Sequence, residues 1–197
     1  MQFLFIIVSA VFYWRFKTER FNQLTNIIAG IGSIMALLVC TYHGYLLTLI
    51  GRDAWTGVLP VLFLMISILS GFAFMVLLNI LFNKNKNGDG PGINLPFILV
   101  LLIILTAFGV FSWIQSLFIG NAEKISIYKL ITGKYALITF GGIFFAGLII
   151  PAILFFSDAK VMQNSVRRIS TITGCVLVIC GSFLIRHLVL MLGQTLN

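Results

Sequence analysis

Residues able to exchange protons or hydrogen-bond a ligand are concentrated in one short stretch of an otherwise hydrocarbon-like chain. This stretch, residues 41–63, contains two tyrosines, a histidine and an arginine–aspartate pair. Tyrosine can hydrogen-bond a carbonyl oxygen, and histidine can exchange a proton near neutral pH. The stretch is therefore suited to chemistry on a small redox-active or proton-exchanging ligand. The residues concerned are Tyr42, His43, Tyr45, Arg52, Asp53 and Trp55.

A second polar pair, Arg186 and His187, interrupts the last apolar run. An ionisable side chain inside a membrane span costs about 2.5–3.5 kcal/mol on insertion scales, so such residues usually have a function. As helical positions, His43 and His187 would both lie about 9–10 Å below the outer ends of their helices. Arg186 could snorkel to the outer headgroups, pair with Asp53 or hold a water chain.

Three interpretations of the two histidines remain open on residue types alone. Two histidines at one depth on different helices can ligate a haem in a cytochrome b-type anchor. A histidine and a tyrosine can also bind a quinone and pass protons as its ring is reduced or oxidised. Alternatively, each imidazole hydrogen-bonds a backbone carbonyl or a neighbouring hydroxyl in the bundle.

The elements that position these residues are membrane-spanning helices. Apolar residues make up 60% of the chain, charged residues 9%, and the mean hydropathy is +1.10. These values are typical of a polytopic membrane protein. We expect an all-α transmembrane bundle of about six segments forming a single domain, residues 1–197. The predicted spans are 1–14, 24–50, 58–82, 95–119, 136–156 and 170–192.

The first of these segments is too short to cross a bilayer unaided. Fourteen helical residues rise about 21 Å, against about 30 Å of hydrocarbon. A signal peptide is a poor explanation of this segment, because no basic stretch precedes it and no small-residue cleavage site follows it. It is either a short, tilted span or a truncated one. We favour truncation or a split subunit, in which earlier spans are encoded separately.

The formal charge of +8 is a topology signal rather than a phosphate-binding surface, since most cations lie in short loops between apolar runs. This excludes nucleic acid as a partner. Eight cations fall on one side and four on the other, which places the first side in the cytoplasm and the C-terminus outside. The first group is Arg15, Lys17, Arg20, Lys84, Lys86, Lys160, Arg167 and Arg168. The second is Arg52, Lys124, Lys129 and Lys134.

Other residues of the spans are read as structural. The three cysteines, Cys40, Cys175 and Cys180, lie in apolar runs without metal-ligand spacing, so no metal site or iron–sulfur cluster is expected in this chain. Small residues at helix-contact spacing, such as Ser67 and Gly71 or Gly142 and Ala146, predict close helix packing. Trp55 and Trp113 are interpreted as aromatics facing the membrane interface.

Several motifs together resemble the polysulfide reductase membrane subunits of the NrfD/PsrC type. They are the run Tyr42-His43-Gly44-Tyr45-Leu46-Leu47, then Trp55, then Leu59-Pro60-Val61-Leu62-Phe63 with Ser67 and Gly71. The run from Gly181 to Arg186, followed by Gly193-Gln194, resembles the final span of that family. The resemblance covers most of this chain and the later part of the usual family length.

The resemblance implies a haem-free membrane subunit of the bacterial inner membrane that reacts with menaquinone or ubiquinone. Its partners would be an extrinsic iron–sulfur subunit and, in many cases, a molybdopterin catalytic subunit. Tyr42 matches the tyrosine placed at the quinone, and Tyr45 takes that role if the register slips. The family's other quinone contacts, an asparagine and a histidine on an earlier span, are not in this chain.

The remaining polar residues receive roles around that site. His43 would carry protons, Arg52, Asp53 and Trp55 would shape the mouth and the docking surface, and Arg186 with His187 would form part of a proton path. A haem b-binding anchor and a small transporter or assembly protein are the competing functions. The sequence does not identify the terminal substrate, the direction of electron flow, the quinone or any proton pumping.

Overall fold

The computed structural model describes residues 23–50, 55–82, 95–118, 136–158 and 164–194. In these ranges the regular structure is entirely helical. The elements are α1 (Gln23–Leu49), α2 (Leu59–Phe82), α3 (Leu95–Phe118), a π-helical segment (Leu137–Ile149) that continues directly into α4 (Ile150–Asp158), and α5 (Asn164–Gln194). The all-α prediction is therefore confirmed for the described chain.

Five helical stretches are long and apolar enough to cross a membrane, and they lie where the five longer apolar segments are predicted. The sixth predicted segment, residues 1–14, lies outside the described residues. The main difference is at α5, which begins at Asn164 rather than near residue 170. Hydropathy locates the apolar part of a helix only, and the first turns of α5 are polar.

The fourth span changes its helical type part-way through. Its first 13 residues are π-helical, and the Ile150 N–H still bonds the Phe145 carbonyl five residues back. Pro151 follows directly, and a proline has no N–H to donate. The helix narrows to α geometry at this point. Since π-helices usually last a single turn, a segment of this length is unusual.

Helix α2 is the centre of the bundle, because α1, α3 and α5 all pack against it. Helix α5 also packs against the π-helical segment and α4, whereas α1 packs mainly on α2. The buried core lies among the other helices, and within residues 26–50 of α1 only Gly44 is buried. The largest fully buried side chains include Leu59, Leu62, Ile66, Leu69, Leu99, Trp113 and Phe155.

Two glycines, Gly147 and Gly181, form the closest contact between the π-helical segment and α5. They are not one of the pairs predicted from spacing. A Cβ added at Gly147 would lie 2.9 Å from the Gly181 Cα, and one added at Gly181 would lie 2.5 Å from the Gly147 Cα. The π-helical segment and α5 therefore meet backbone to backbone. Gly71, by contrast, has open space where a Cβ would stand, so its predicted role in close packing is wrong.

Arg168 joins the first turns of α5 to the last turn of α2. Its Nη2 donates to the Ile80 carbonyl oxygen, 3.1 Å away in the last turn of α2. A cation at a helix C-terminus satisfies an unpaired carbonyl and complements the helix dipole. This contact sets α2 and α5 antiparallel, with the C-terminal end of α5 beside the start of α2.

Candidate functional site

Two tyrosines line a groove between the C-terminal part of α1 and the start of α2. The groove has a volume of about 250 Å³ and is lined by Leu38, Thr41, Tyr42, Tyr45 and Pro60. Residues three and four apart share a helix face, so the four α1 residues form one stripe opposite the proline. Tyr42 is 47% exposed and Tyr45 56%, which leaves the groove open on its outer side.

Gly44 determines where along their length α1 and α2 come closest, and the groove lies at that point. A Cβ on this residue would stand 2.5 Å from the Pro60 Cα and 2.9 Å from the Leu59 carbonyl oxygen. The glycine therefore lets α1 touch the backbone of α2. Pro60 fits there because its missing N–H belongs to the first turn of α2, where no intrahelical acceptor exists. Tyr42 and Tyr45 flank this closest approach.

His43 is adjacent to the groove without lining it. Its Nδ1 lies 2.9 Å from the Val39 carbonyl oxygen, which can only accept a hydrogen bond. The neutral ring therefore carries its proton on Nδ1 and has Nε2 as its acceptor nitrogen. The imidazole packs edge-on to the Tyr42 ring, with centroids 6.2 Å apart. The imidazole ring thus lies beside the first tyrosine of the groove.

The turn into α2 is fastened to two other helices. The Trp55 indole Nε1 donates to the Val189 carbonyl oxygen of α5 at 3.1 Å, and the ring lies on Gly193. Thr56 and Ser116 hydroxyls are 2.8 Å apart. The Ser116 hydroxyl donates to the Trp113 carbonyl oxygen, so Thr56 is the donor to Ser116.

Both tryptophans named as interfacial aromatics are buried in the bundle. Trp55 is 8% exposed and Trp113 is 1% exposed, so the prediction that they face the membrane interface is wrong. In this chain the Trp55 ring holds α5 to the turn before α2. Arg52 and Asp53, the other residues predicted for the mouth and the docking surface, lie outside the described residues.

Arg186 reaches across to α2 in the interior of the bundle. Its Nη2 donates to the Ser67 hydroxyl at 2.8 Å, and that hydroxyl donates to the Phe63 carbonyl oxygen at 2.7 Å. Ser67 lies eight residues after the start of α2 and Arg186 eight residues before the end of α5, about 12 Å along each helix axis. The guanidinium therefore lies against α2 at the level of Ser67. Its Nε is buried and has no hydrogen-bond partner among the described residues.

His187 lies on a different face of α5 from Arg186. It is exposed and stacks on Phe183, with ring centroids 6.3 Å apart and planes inclined by 11°. Consecutive helical residues differ by about 100° in direction, which separates the two side chains. The structure therefore places His187 on the outer surface and Arg186 toward α2. The two exposed histidines belong to helices that each pack against α2.

A family model described as "Polysulphide reductase, NrfD" matches residues 5–197. The chain belongs to the NrfD family. No curated protein and no solved structure matches it at a significant level. Together with the five apolar helices, this membership establishes a multi-pass membrane protein of the polysulphide reductase type.

The NrfD-type motifs of the chain pair off in space. Gly44 of the first motif meets Pro60 of the second, and Ser67 of the second bonds Arg186 of the last. Trp55, between the first two, lies on Gly193 at the end of the last. Motif residues that are far apart in the sequence therefore meet in three contacts, all near the first half of α2.

Several residues of the candidate site were not predicted from the sequence. Leu38 and Thr41 line the groove but were not singled out, although each lies four residues before a tyrosine and so shares its helix face. Pro60 was named only as part of a motif. Ser67, the hydrogen-bond partner of Arg186, was named only as a small residue and as part of the same motif.

Proposed function

We propose that this NrfD-family chain is the membrane anchor and quinone- or quinol-reactive subunit of a respiratory oxidoreductase complex. It would pass electrons between the quinone pool and an extrinsic iron–sulfur subunit, with a molybdopterin subunit as the catalytic partner. The observation that carries the proposal is the groove in which Tyr42 and Tyr45 face Pro60. Membership of the NrfD family, which suggests a membrane subunit of a quinone-linked oxidoreductase complex, also supports the proposal.

The groove is suited to the head group of menaquinone or ubiquinone. Its walls are largely apolar, and two of the residues that line it are tyrosines, whose phenol hydroxyls can donate to ring carbonyl oxygens. The outer face of α1 is apolar and exposed, with Ile34 at 61% and Leu38 at 45%, so a prenyl tail could lie along it. A head group would enter the groove directly from the lipid.

Within this proposal Tyr42 donates the hydrogen bond to one ring oxygen, and Tyr45 is the alternative donor. When a quinol is oxidised, two electrons leave for the clusters of the iron–sulfur subunit and two protons are released. The His43 imidazole, with Nε2 as its acceptor nitrogen, is placed beside Tyr42 to accept one of them. Quinone reduction would run through the same groups in reverse.

The partner would dock on the outer side of the membrane. The excess of cations on the opposite side favours a periplasmic position for the C-terminus and for the turn at residues 51–57. Arg52 and Asp53 lie three and two residues before Trp55, whose ring is fixed to α5. We place the docking surface at this turn in the bacterial inner membrane, with Arg186 and His187 as candidates for the proton path.

The test is purification of the tagged chain from its native membranes in a mild detergent, followed by subunit identification and an optical spectrum. Co-purified iron–sulfur and molybdopterin subunits without a haem band would support the proposal. A haem band abolished by His43→Ala or His187→Ala would replace it with a cytochrome-type anchor. Neither partners nor haem, with substrate flux in vesicles containing this chain alone, would indicate a transporter.

A further inference from the structure

The hydroxyl proton of Thr41, one of the residues that line the groove, is already used inside α1. Its Oγ1 lies 3.0 Å from the Leu37 carbonyl oxygen and 3.1 Å from that of Leu38, and carbonyl oxygens can only accept. The hydroxyl is therefore the donor in both contacts. Turning its proton to a ligand would give up these contacts, so little would be gained. Because a hydroxyl oxygen also has two lone pairs, Oγ1 remains available as an acceptor.

This oxygen lies on the face of α1 that forms one wall of the groove. Leu38, Thr41 and Tyr45 all line the groove, and their separations of three and four residues are those of one helix face. Oγ1 is held beside the carbonyl of Leu38, and the Thr41 residue is only half-buried. A head group seated between Leu38 and Tyr45 would therefore lie next to this oxygen.

The other lining residues limit the donors that the groove offers. Leu38 has an apolar side chain, and Pro60 has neither a polar side chain nor an N–H. Tyr42 and Tyr45 have phenol hydroxyls, and each can donate or accept a hydrogen bond. Of the side chains that line the groove, the two phenols are thus the available donors, whereas the phenols and Thr41 can all accept.

We propose that Thr41 makes the groove bind a quinol more tightly than the corresponding quinone. This inference rests on the proposed function and specifies the redox form that the site selects. A quinone presents two carbonyl oxygens, which only accept, so it can use the phenols but not Thr41. A quinol presents two O–H groups, and one of them can donate to Thr41 Oγ1 while a phenol bonds the other. When a bound quinol is oxidised, the product therefore binds more weakly and leaves more readily.

The expected preference is small but measurable. One additional hydrogen bond corresponds to about two- to tenfold in affinity. Tighter binding of the reduced form raises the midpoint potential of the bound couple. For a two-electron couple, this preference corresponds to about 10–30 mV above the potential of the free ligand.

The experiment uses the complex purified from native membranes and two redox forms of one probe, 2,3-dimethyl-1,4-naphthoquinone and its quinol. Their dissociation constants are measured without oxygen. T41V removes the acceptor oxygen at nearly constant volume, so it should weaken quinol binding about two- to tenfold and leave quinone binding unchanged. T41S keeps the oxygen and should keep the preference. T48V is the matched control, because the Thr48 hydroxyl bonds the Tyr45 carbonyl of the same helix but Thr48 does not line the groove.

A redox titration of the bound probe provides an independent readout. Its midpoint potential should be raised in the unmodified complex and should return toward the value of the free probe in T41V. Equal affinity of the unmodified complex for both forms, an unchanged preference in T41V, or equal losses in T41V and T48V would overturn the role of Thr41. Equal loss of both forms in T41V would also overturn it, and each of these results leaves the quinone site standing. If neither form binds the unmodified complex, the proposed function fails and this inference fails with it.

Discussion

Gly44 lies directly against the backbone of Pro60, so α1 and α2 meet without a side chain between them. A Cβ at residue 44 would stand 2.5 Å from the Pro60 Cα. Backbone this close cannot yield as a flexible side chain can, so any larger residue must push the helices apart. The two tyrosines that line the groove lie on either side of this glycine, and their distance from Pro60 depends on it.

Gly44→Ala should therefore disrupt the groove and destabilise the protein. We expect a loss of about 1–3 kcal/mol in unfolding free energy, typical of overpacking, with weaker quinone binding. Thermal unfolding in detergent and a quinone titration measure the two effects. Gly30→Ala on the same helix is the control, because a Cβ there meets nothing within 4 Å. A Gly44→Ala protein as stable as Gly30→Ala would contradict the proposed contact.

A similar loss of stability is expected from substitutions where the π-helical segment crosses α5. Gly147→Ala or Gly181→Ala places a methyl group against the backbone of the partner helix, which we expect to cost about 1–3 kcal/mol. Gly141→Ala, in the same segment but with open space at its Cβ, should be tolerated. The ranking of the three variants by melting temperature tests the crossing. Equal melting temperatures would rule it out.

Substitutions at Trp55 and at the glycines near it should destabilise the protein by different amounts. Trp55→Phe keeps most of the ring and loses the hydrogen bond to the Val189 carbonyl, a cost of about 1 kcal/mol. Trp55→Ala should cost about 3–5 kcal/mol, because it removes a buried aromatic side chain. Gly193→Ala collides with the indole, whereas Gly57→Ala in the adjacent turn has free space. Thermal unfolding should place Gly57→Ala closest to the parent protein.

The two tyrosines can be distinguished by removing one hydroxyl at a time. Tyr42→Phe or Tyr45→Phe preserves the ring but not the hydrogen bond to a quinone carbonyl, which is worth about 0.5–1.5 kcal/mol. Substitution of the tyrosine that contacts the quinone should weaken quinone binding about two- to tenfold, whereas substitution of the other tyrosine should change it little. We expect the loss at Tyr42. Unchanged affinity in both variants would remove the phenols from the site.

Much of the fold could be predicted from the sequence, because apolar length alone determines where a chain can cross a bilayer. The same reasoning located the Tyr42 stretch, since tyrosine and histidine are conspicuous among aliphatic residues. It could not show how helices pair. Spacing suggested Ser67 with Gly71, whereas the close contacts are Gly44 with Pro60 and Gly147 with Gly181.

The failures have physical causes. Hydropathy records how apolar a segment is and not which side faces lipid, so Trp55 and Trp113 were assigned to the interface although both are buried. Pro151 marks a break in the hydrogen-bond ladder, but a single proline does not indicate that the preceding 13 residues are π-helical. The depth of Arg186 was predictable, whereas its bond to Ser67 depends on how α2 and α5 rotate against each other.

The most direct test of a quinone site in this groove is photo-crosslinking with an azido-quinone. The complex in native membranes is irradiated with the probe, and the modified peptides of this chain are mapped by mass spectrometry. A quinone bound in the groove should give adducts at Leu38, Thr41, Tyr42, Tyr45 or Pro60, and excess unlabelled quinone should suppress them. Suppressible adducts confined to other helices, such as α3 or α4, would contradict a quinone site in this groove.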